Sequence, residues 1–302
     1  MTKPPSPAPA SIGLGVFWHA ARNPPSDPKD SFIGKTVLIT GANVGLGLEA
    51  ATKFATLGAS TLILGVRSLE RGKAAKRQIE QITHCKTNVI QLVQIDMGDF
   101  NSIEKFAKEV NNRFEKLDIA VLNAGVAVSR YDLSGHGYEM SVQVNVLSTT
   151  YLGILLLPRL RSTASVTGVP SLLEFVASTG HVDVAVGSVE PNSSQGVLAR
   201  VNDRANFSVL KQYQISKLLE MWAAKQVAAR TSVDEVIVVA SCPGLCRSNL
   251  GRDFSLLMRL PDAMFKRIFG RSAEEGSRTI VSATALGKDA HGGFWTNDQI
   301  TP

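Results

Sequence analysis

Cysteine is scarce in this chain of 302 residues: Cys85, Cys242 and Cys246 are the whole supply. None has the paired spacing of a zinc site, and three are too few for a disulfide framework, so no metal is expected and a reducing, cytoplasmic setting fits best. Long apolar runs are missing too. The N-terminal segment 1–10 carries Pro4, Pro5, Pro7 and Pro9 with a single Lys3, and the apolar stretch after it, Ile12–Ala21, is interrupted by His19. That stretch is too short to span a bilayer and lacks the basic start of a signal peptide, which leaves a helix on the domain surface or, less simply, on a membrane. The little that follows Trp295-Thr296-Asn297 leaves scant room for a C-terminal anchor, so no integral membrane segment is expected. No run of basic residues interleaved with aromatics occurs either, so the formal charge of +6 is not read as a nucleic-acid surface. Internal repeats are absent.

What is present is composition for one large α/β core, with 44% hydrophobic and 19% charged residues. After a proline-containing linker, Asn23–Asp30, a single domain is expected over 34–302, with 1–33 as an N-terminal extension. Apolar runs of strand length stand at Thr36–Thr40, Thr61–Val66, Val89–Ile95, Ile119–Leu122, Leu172–Ala177 and Val236–Ala240. Helical patterns fill the gaps at Gly45–Leu57, Leu69–Ile82, Phe100–Phe114, Tyr138–Leu160 and Ser208–Ala229. This alternation predicts a doubly wound, Rossmann-type parallel sheet in three layers. The stretch Gly187–Asn206 reads as a long loop of the kind that often carries function.

Directly after the first strand comes Thr40-Gly41-Ala42-Asn43-Val44-Gly45-Leu46-Gly47, opening into a helix. Glycines at a strand-to-helix turn allow the tight bend and let backbone N–H groups approach a pyrophosphate, and the helix N-terminus favours the anion. The spacing departs from the usual dinucleotide fingerprint, and glycines also serve packing, so position in the first βα unit is what points to a cofactor. The second strand ends in Gly65-Val66-Arg67 with no carboxylate to accept from a ribose 2′-hydroxyl. Arg67 instead offers a planar fork suited to a 2′-phosphate, unless it is simply a solvated side chain, and this points to NADP(H).

Tyr213 and Lys217 stand four apart in a helical stretch, and so share a face. A phenol with a pKa of about 10 is a weak base at neutral pH, and an ammonium beside it stabilises the phenolate. Tyrosine and lysine at this spacing are more often a core aromatic and a snorkelling lysine; companions elsewhere decide.

Those companions exist: Thr40-Gly41-x-x-x-Gly45-x-Gly47, Asn123-Ala124-Gly125 after the fourth strand, Asn145 in the next helix, Ser178 after the fifth strand, Tyr213-x-x-Ser216-Lys217, and Pro243-Gly244 after the sixth. In this order they resemble the short-chain dehydrogenase/reductase family over roughly 34–296. The run Val66-Arg67-Ser68-Leu69-Glu70-Arg71-Gly72 is similar to the retinol-dehydrogenase-like branch, and in particular to reductases of fungal secondary metabolism. The resemblance implies Tyr213 as proton donor, Ser178 bonding the substrate oxygen, Lys217 holding the nicotinamide ribose, and Asn145 ordering a relay water. It also implies that Asp96, beside Met97, binds the adenine amino group, although Asp96 could equally cap the helix near Phe100. Asn123, Ala124 and Gly125 would line the adenosine side, and Pro243 and Gly244 the nicotinamide end. His181 is read as structural or substrate-contacting.

The 35 positions from Ser178 to Tyr213 exceed the family's usual gap. Substrate loops are therefore expected near 182–207 and 245–270, the latter holding Phe254, Leu256, Leu257, Met258, Phe265 and Phe269; these suit a bulky apolar carbonyl or alcohol, or a helix packing on the sheet or a partner. The resemblance allows a homodimer through Tyr138–Leu160 and Ser208–Ala229. A retinol- or steroid-type dehydrogenase, a non-catalytic NADP sensor and a sugar-nucleotide epimerase or dehydratase are the other readings. The sensor is disfavoured because Tyr213 and Lys217 are both kept, and the epimerase or dehydratase because of the glycine spacing and short C-terminal region.

Overall fold

The computed structural model describes residues 13–190, 196–251 and 256–301. Eight strands form one sheet in the order β3-β2-β1-β4-β5-β6-β7-β8. They are β1 (Thr36–Thr40), β2 (Thr61–Val66), β3 (Ile90–Gln94), β4 (Ile119–Leu122), β5 (Ser171–Val176), β6 (Val236–Ser241), β7 (Phe294–Thr296) and β8 (Gln299–Thr301). The first seven run parallel and β8 returns antiparallel on β7. Every residue of β1, β4, β5 and β6 is buried, as a sheet covered on both faces requires. The three-layer, doubly wound sheet expected from the sequence is thus present.

Nine α-helices surround it among the described residues: α1 (Leu14–Arg22), α2 (Gly45–Thr56), α3 (Leu69–Thr83), α4 (Phe100–Arg113), α5 (Thr149–Thr167), α6 (Val197–Asn202), α7 (Val209–Ala228), α8 (Leu256–Phe269) and α9 (Ala273–Ala283). Side chains alternate across each strand. Leu38, Ile63, Leu173, Phe175 and Val238 pack with α4, α5 and α7. Val37, Leu62, Leu172, Val176 and Val239 pack with α2, α3 and α9 on the other face.

Local chemistry marks several helix starts. Ser68 accepts from the N–H of Arg71 to begin α3, and Asp99 accepts from that of Asn101 to begin α4. Ser272 and Glu275 form a reciprocal capping box on α9. Asp99 rather than Asp96 is therefore the cap of α4, which removes the alternative considered for Asp96.

The long helix expected over Tyr138–Leu160 is two pieces. Val142–Ser148 winds as a π-helix and only then does α5 begin, running on to Thr167. Such wide turns recur at functional sites, and Asn145 sits inside this one. The stretch expected to be a loop at 187–206 contains α6, while Pro191–Ser194 lie outside the described residues.

The N-terminal extension is docked. α1 packs on α8, with Phe17 edge-on to Phe265 (centroids 5.8 Å apart) and Trp18 to Phe269 (5.9 Å). Arg271, 2% exposed, locks this corner: its guanidinium donates to the carbonyls of Ala20, Asn23 and Pro243 and to Asn297 Oδ1. The Asn297-Asp298 turn that presents this acceptor has both residues at positive φ, 50° and 56°, the mirror-image turn that suits a tight hairpin.

Candidate active site

The C-terminal ends of β1, β2, β4 and β5 open onto one cleft, at the place where the strand order reverses. At its floor the glycine turn is shaped by close approach. Gly41 (φ +68°) and Gly45 (φ +58°) take left-handed conformations, and a Cβ on Gly47 would fall 2.4 Å from the carbonyl oxygen of Gly41. Thr40 holds the neighbouring strand end: its Oγ1 accepts from the N–H groups of Asn123 and Ala124, at 3.0 Å each, while Asn123 Nδ2 donates to Thr40 O. No side chain caps α2, so its first N–H groups remain open toward the cleft.

Of the residues singled out from the sequence, Gly41, Asn43, Gly45, Leu46 and Gly47 line this cleft, as do Arg67, Asp96 and Met97. Asn123, Ala124, Gly125 and Pro243 line it further along, with Tyr213 and Lys217 at the far end. Gly244 (φ +78°) does not; a Cβ there would meet Arg271 at 3.0 Å, so this glycine makes room for the buried arginine. Asp96 is fixed by its own turn, with Oδ1 accepting from Gly98 N and its N–H donating to Ser102 Oγ.

Sequence reading missed Ser68, Arg71, Ser248 and Leu250, all on the cleft wall. The signal for Arg71 was available, because four residues after Arg67 on a new helix is one turn. Arg67 and Arg71 are exposed, and neither guanidinium has an acidic partner among the described residues. Two uncompensated cations at the end of β2 form a site for an anion.

Around the proposed acid/base pair the packing is dense. Lys217 Nζ lies 5.9 Å from the centre of the Tyr213 ring, donates to the carbonyl of Val176 at 2.8 Å and pairs with Glu220 Oε2 at 2.7 Å. The Ser178 hydroxyl stands beside the Tyr213 phenol, where it favours the ionised form. Ser178 also starts a short 3-10 turn by accepting from Gly180 N.

The acidified phenol expected from the sequence is not what results. Burial pushes Tyr213 above the ordinary tyrosine range, against the downward pull of Lys217 and Ser178, while Glu220 and Cys242 push it further up. The main physical reason is the loss of solvent around the phenol; Glu220, 1% exposed and paired with Lys217, adds a smaller push in the same direction.

Asn145 is held firmly: its side chain accepts from Val126 N and donates to Val126 O and Ser216 Oγ, each at 2.9 Å. The amide clamps the segment after β4 to α7. His181 is structural, as one of its two sequence readings had it: Nδ1 is 2.6 Å from Ser178 O, which can only accept, and the ring packs edge-on to Phe294.

The expected substrate aromatics divide. Phe265 and Phe269 face α1 instead of the cleft, whereas Phe254 and the side chains of Leu256, Leu257 and Met258 lie outside the described residues.

Comparison with known proteins agrees with this geometry. Residues 35–182 match the family model described as short chain dehydrogenase. A short-chain dehydrogenase/reductase of Phaeosphaeria nodorum, phmF, is 58% identical over 293 residues, covering 97% of this chain and 86% of its own length. The chain is a short-chain dehydrogenase/reductase. Another member of the family, ffsI of Aspergillus flavipes, is 56% identical over 292 residues, covering 97% of this chain and 85% of that one. Both relatives are fungal, in line with the resemblance carried by Val66 to Gly72. Among solved structures, the L-sorbose reductase of Gluconobacter frateurii, complexed with NADPH and L-sorbose, superposes with a TM-score of 0.65 at 19% identity, over 89% of this chain and 96% of that one. The carbonyl reductase Sniffer of D. melanogaster gives 0.63 at 20% identity, over 89% and 98%. At that identity the two structures speak for the shared oxidoreductase fold. No helix among the described residues is long and apolar enough to cross a membrane.

Proposed function

We propose that this short-chain dehydrogenase/reductase uses NADP(H) to interconvert a ketone or aldehyde with an alcohol on a bulky apolar metabolite of a secondary biosynthetic pathway. The observation that carries the reading is one continuous cleft, with two unpaired arginines and a glycine cradle at one end and the Tyr213 phenol with Lys217 at the other. A dinucleotide fits this donor set. The turn leaves no space for a Cβ at Gly47, the open N-terminus of α2 suits a pyrophosphate, and Arg67 with Arg71 suits a 2′-phosphate. The sorbose reductase, a complex with NADPH, supports the same choice.

The bound cofactor would supply the hydride, and the protein the proton and the geometry. Asp96 and Met97 would bracket the adenine, Asn123 to Gly125 the adenosine side, and Pro243 the nicotinamide end. Lys217, which donates to Val176 O and so has further ammonium hydrogens to offer, would hold the nicotinamide ribose. Ser178 would bond the substrate oxygen as charge grows on it. Tyr213, held neutral by burial, would donate the proton, which favours reduction near neutral pH. Asn145 would act by keeping the Val126 segment against Ser216.

The segments 182–207 and 245–270 would shape the substrate site, with Leu250 already on the cleft wall. Pairing of two copies through α5 and α7 is supported by the exposed Ile154 and Trp222. Purified protein mixed with NADPH and a panel of bicyclic and aromatic ketones should oxidise the cofactor, and Tyr213→Phe should lower turnover by about 1,000-fold or more. Undiminished turnover in that variant would refute the assignment.

A further inference from the structure

Glu220 has no counterpart in the motifs that describe the site, and yet it touches the lysine on which the site depends. It lies three positions after Lys217 on α7, one helical turn on, with both side chains buried and Oε2 at 2.7 Å from Nζ. The ammonium is held from a second side by the carbonyl of Val176, at 2.8 Å from β5. A buried carboxylate therefore stands against the ammonium as its ion-pair partner and offsets part of the charge that the phenol would otherwise feel.

We propose that Glu220 is a positioning residue of this site: through its buried ion pair it aims Lys217, and through its charge it sets the pH at which Tyr213 gives up its proton. The proposal rests on the reading of Tyr213 and Lys217 as the acid/base pair.

The groups that bear on the ion pair are Tyr213 on α7 itself and the Cys242 thiol from the turn after β6, with the neutral Ser178 hydroxyl beside the phenol. Burial raises Glu220 to about 7, with Lys217 pulling the other way. Since Tyr213 lies above the usual phenol range, Glu220 is ionised throughout the interval in which the phenol titrates. An anion there raises the proton affinity of Tyr213 and of Lys217 alike. Removing the charge must then let the pair lose its first proton at lower pH, whichever partner releases it.

The test needs no substrate. The chain has four tyrosines, so labelling tyrosine with 13C at Cζ gives four resonances, and Tyr213→Phe assigns one of them. In Glu220→Gln, which keeps the shape and an acceptor for the ammonium, the Tyr213 midpoint should fall by about one pH unit. Glu220→Asp, which keeps the charge, should stay close to wild type. If Glu220→Gln does not fold, Glu220→Met carries the same expectation. A midpoint that stays put in a folded, charge-free variant overturns the proposal, as does an equal shift in Glu220→Asp. Lost turnover in Tyr213→Phe with an unmoved midpoint in Glu220→Gln would defeat this inference alone. Retained turnover in Tyr213→Phe would defeat the acid/base reading instead.

Discussion

Glu174→Gln offers a direct measure of what a buried acid does to this fold. Glu174 sits in the centre of the sheet on β5, with no exposed surface, between Leu172 and Val176 on the face that packs against α2 and α9. Ser241 donates to Oε1, while Oε2 has no partner. No cation among the described residues pairs with it, and burial holds the carboxyl well above the ordinary glutamate range. The folded protein therefore keeps a proton that the unfolded chain releases near pH 4.5.

Between those two values the native state binds one more proton than the unfolded state, so stability falls as pH rises, by about 1.4 kcal/mol per pH unit. That slope holds from above pH 4.5 up to the raised native value, and each pH unit of it is a noticeable part of the roughly 5–15 kcal/mol that a domain has. Glutamine does not titrate. Its extra N–H groups, placed where Oε2 finds no partner, carry a cost that does not depend on pH. Only the slope decides: urea denaturation of both proteins at half-unit steps should show the variant gaining on wild type steadily as pH rises. Glu220, raised to about 7, adds a fall of its own below that pH, but it is common to both proteins and cancels in the difference. Parallel curves would mean that Glu174 is ionised in the fold, and the reasoning from burial would be wrong.

Three other outcomes are expected. Replacing Arg67 and Arg71 together by alanine should raise the KM for NADPH by about 150-fold or more while leaving that for NADH little changed, since each charged contact to a phosphate is worth about 1.5–3 kcal/mol; steady-state kinetics with both cofactors check it. Gly47→Ala should abolish NADPH binding in a fluorescence titration, because the new methyl would stand 2.4 Å from Gly41 O and displace the turn. Arg271→Lys should destabilise the fold by about 2–4 kcal/mol, read by denaturation, because one ammonium cannot reach four acceptors that a fork reaches. The same variant should expose the segment before Asn23 to proteolysis.

Where the chain writes its structure as period and punctuation, the sequence was sufficient. The strands β1, β2 and β4 run between the residues that the apolar pattern marks, because a strand buried on both faces is largely apolar along its length. The glycine turn and the Tyr213–Lys217 spacing were equally visible, since they depend on neighbours along the chain. The three-residue strands β7 and β8 were not, for they are too short to show alternation and exist by pairing with β6 and with each other. The π turn at Asn145 was hidden inside an ordinary helical pattern, and it is held from outside by Val126 and Ser216. Phe265 and Phe269 could be read from the sequence as pocket or as packing residues, and only their contacts with α1 decide for packing. Most telling is Tyr213: the order of residues declared a phenol next to a cation, but its proton affinity is a sum over everything packed around it. Burial and Glu220, both products of the third dimension, outweigh the lysine one turn away, because electrostatic energy follows distance and dielectric and not position in the chain.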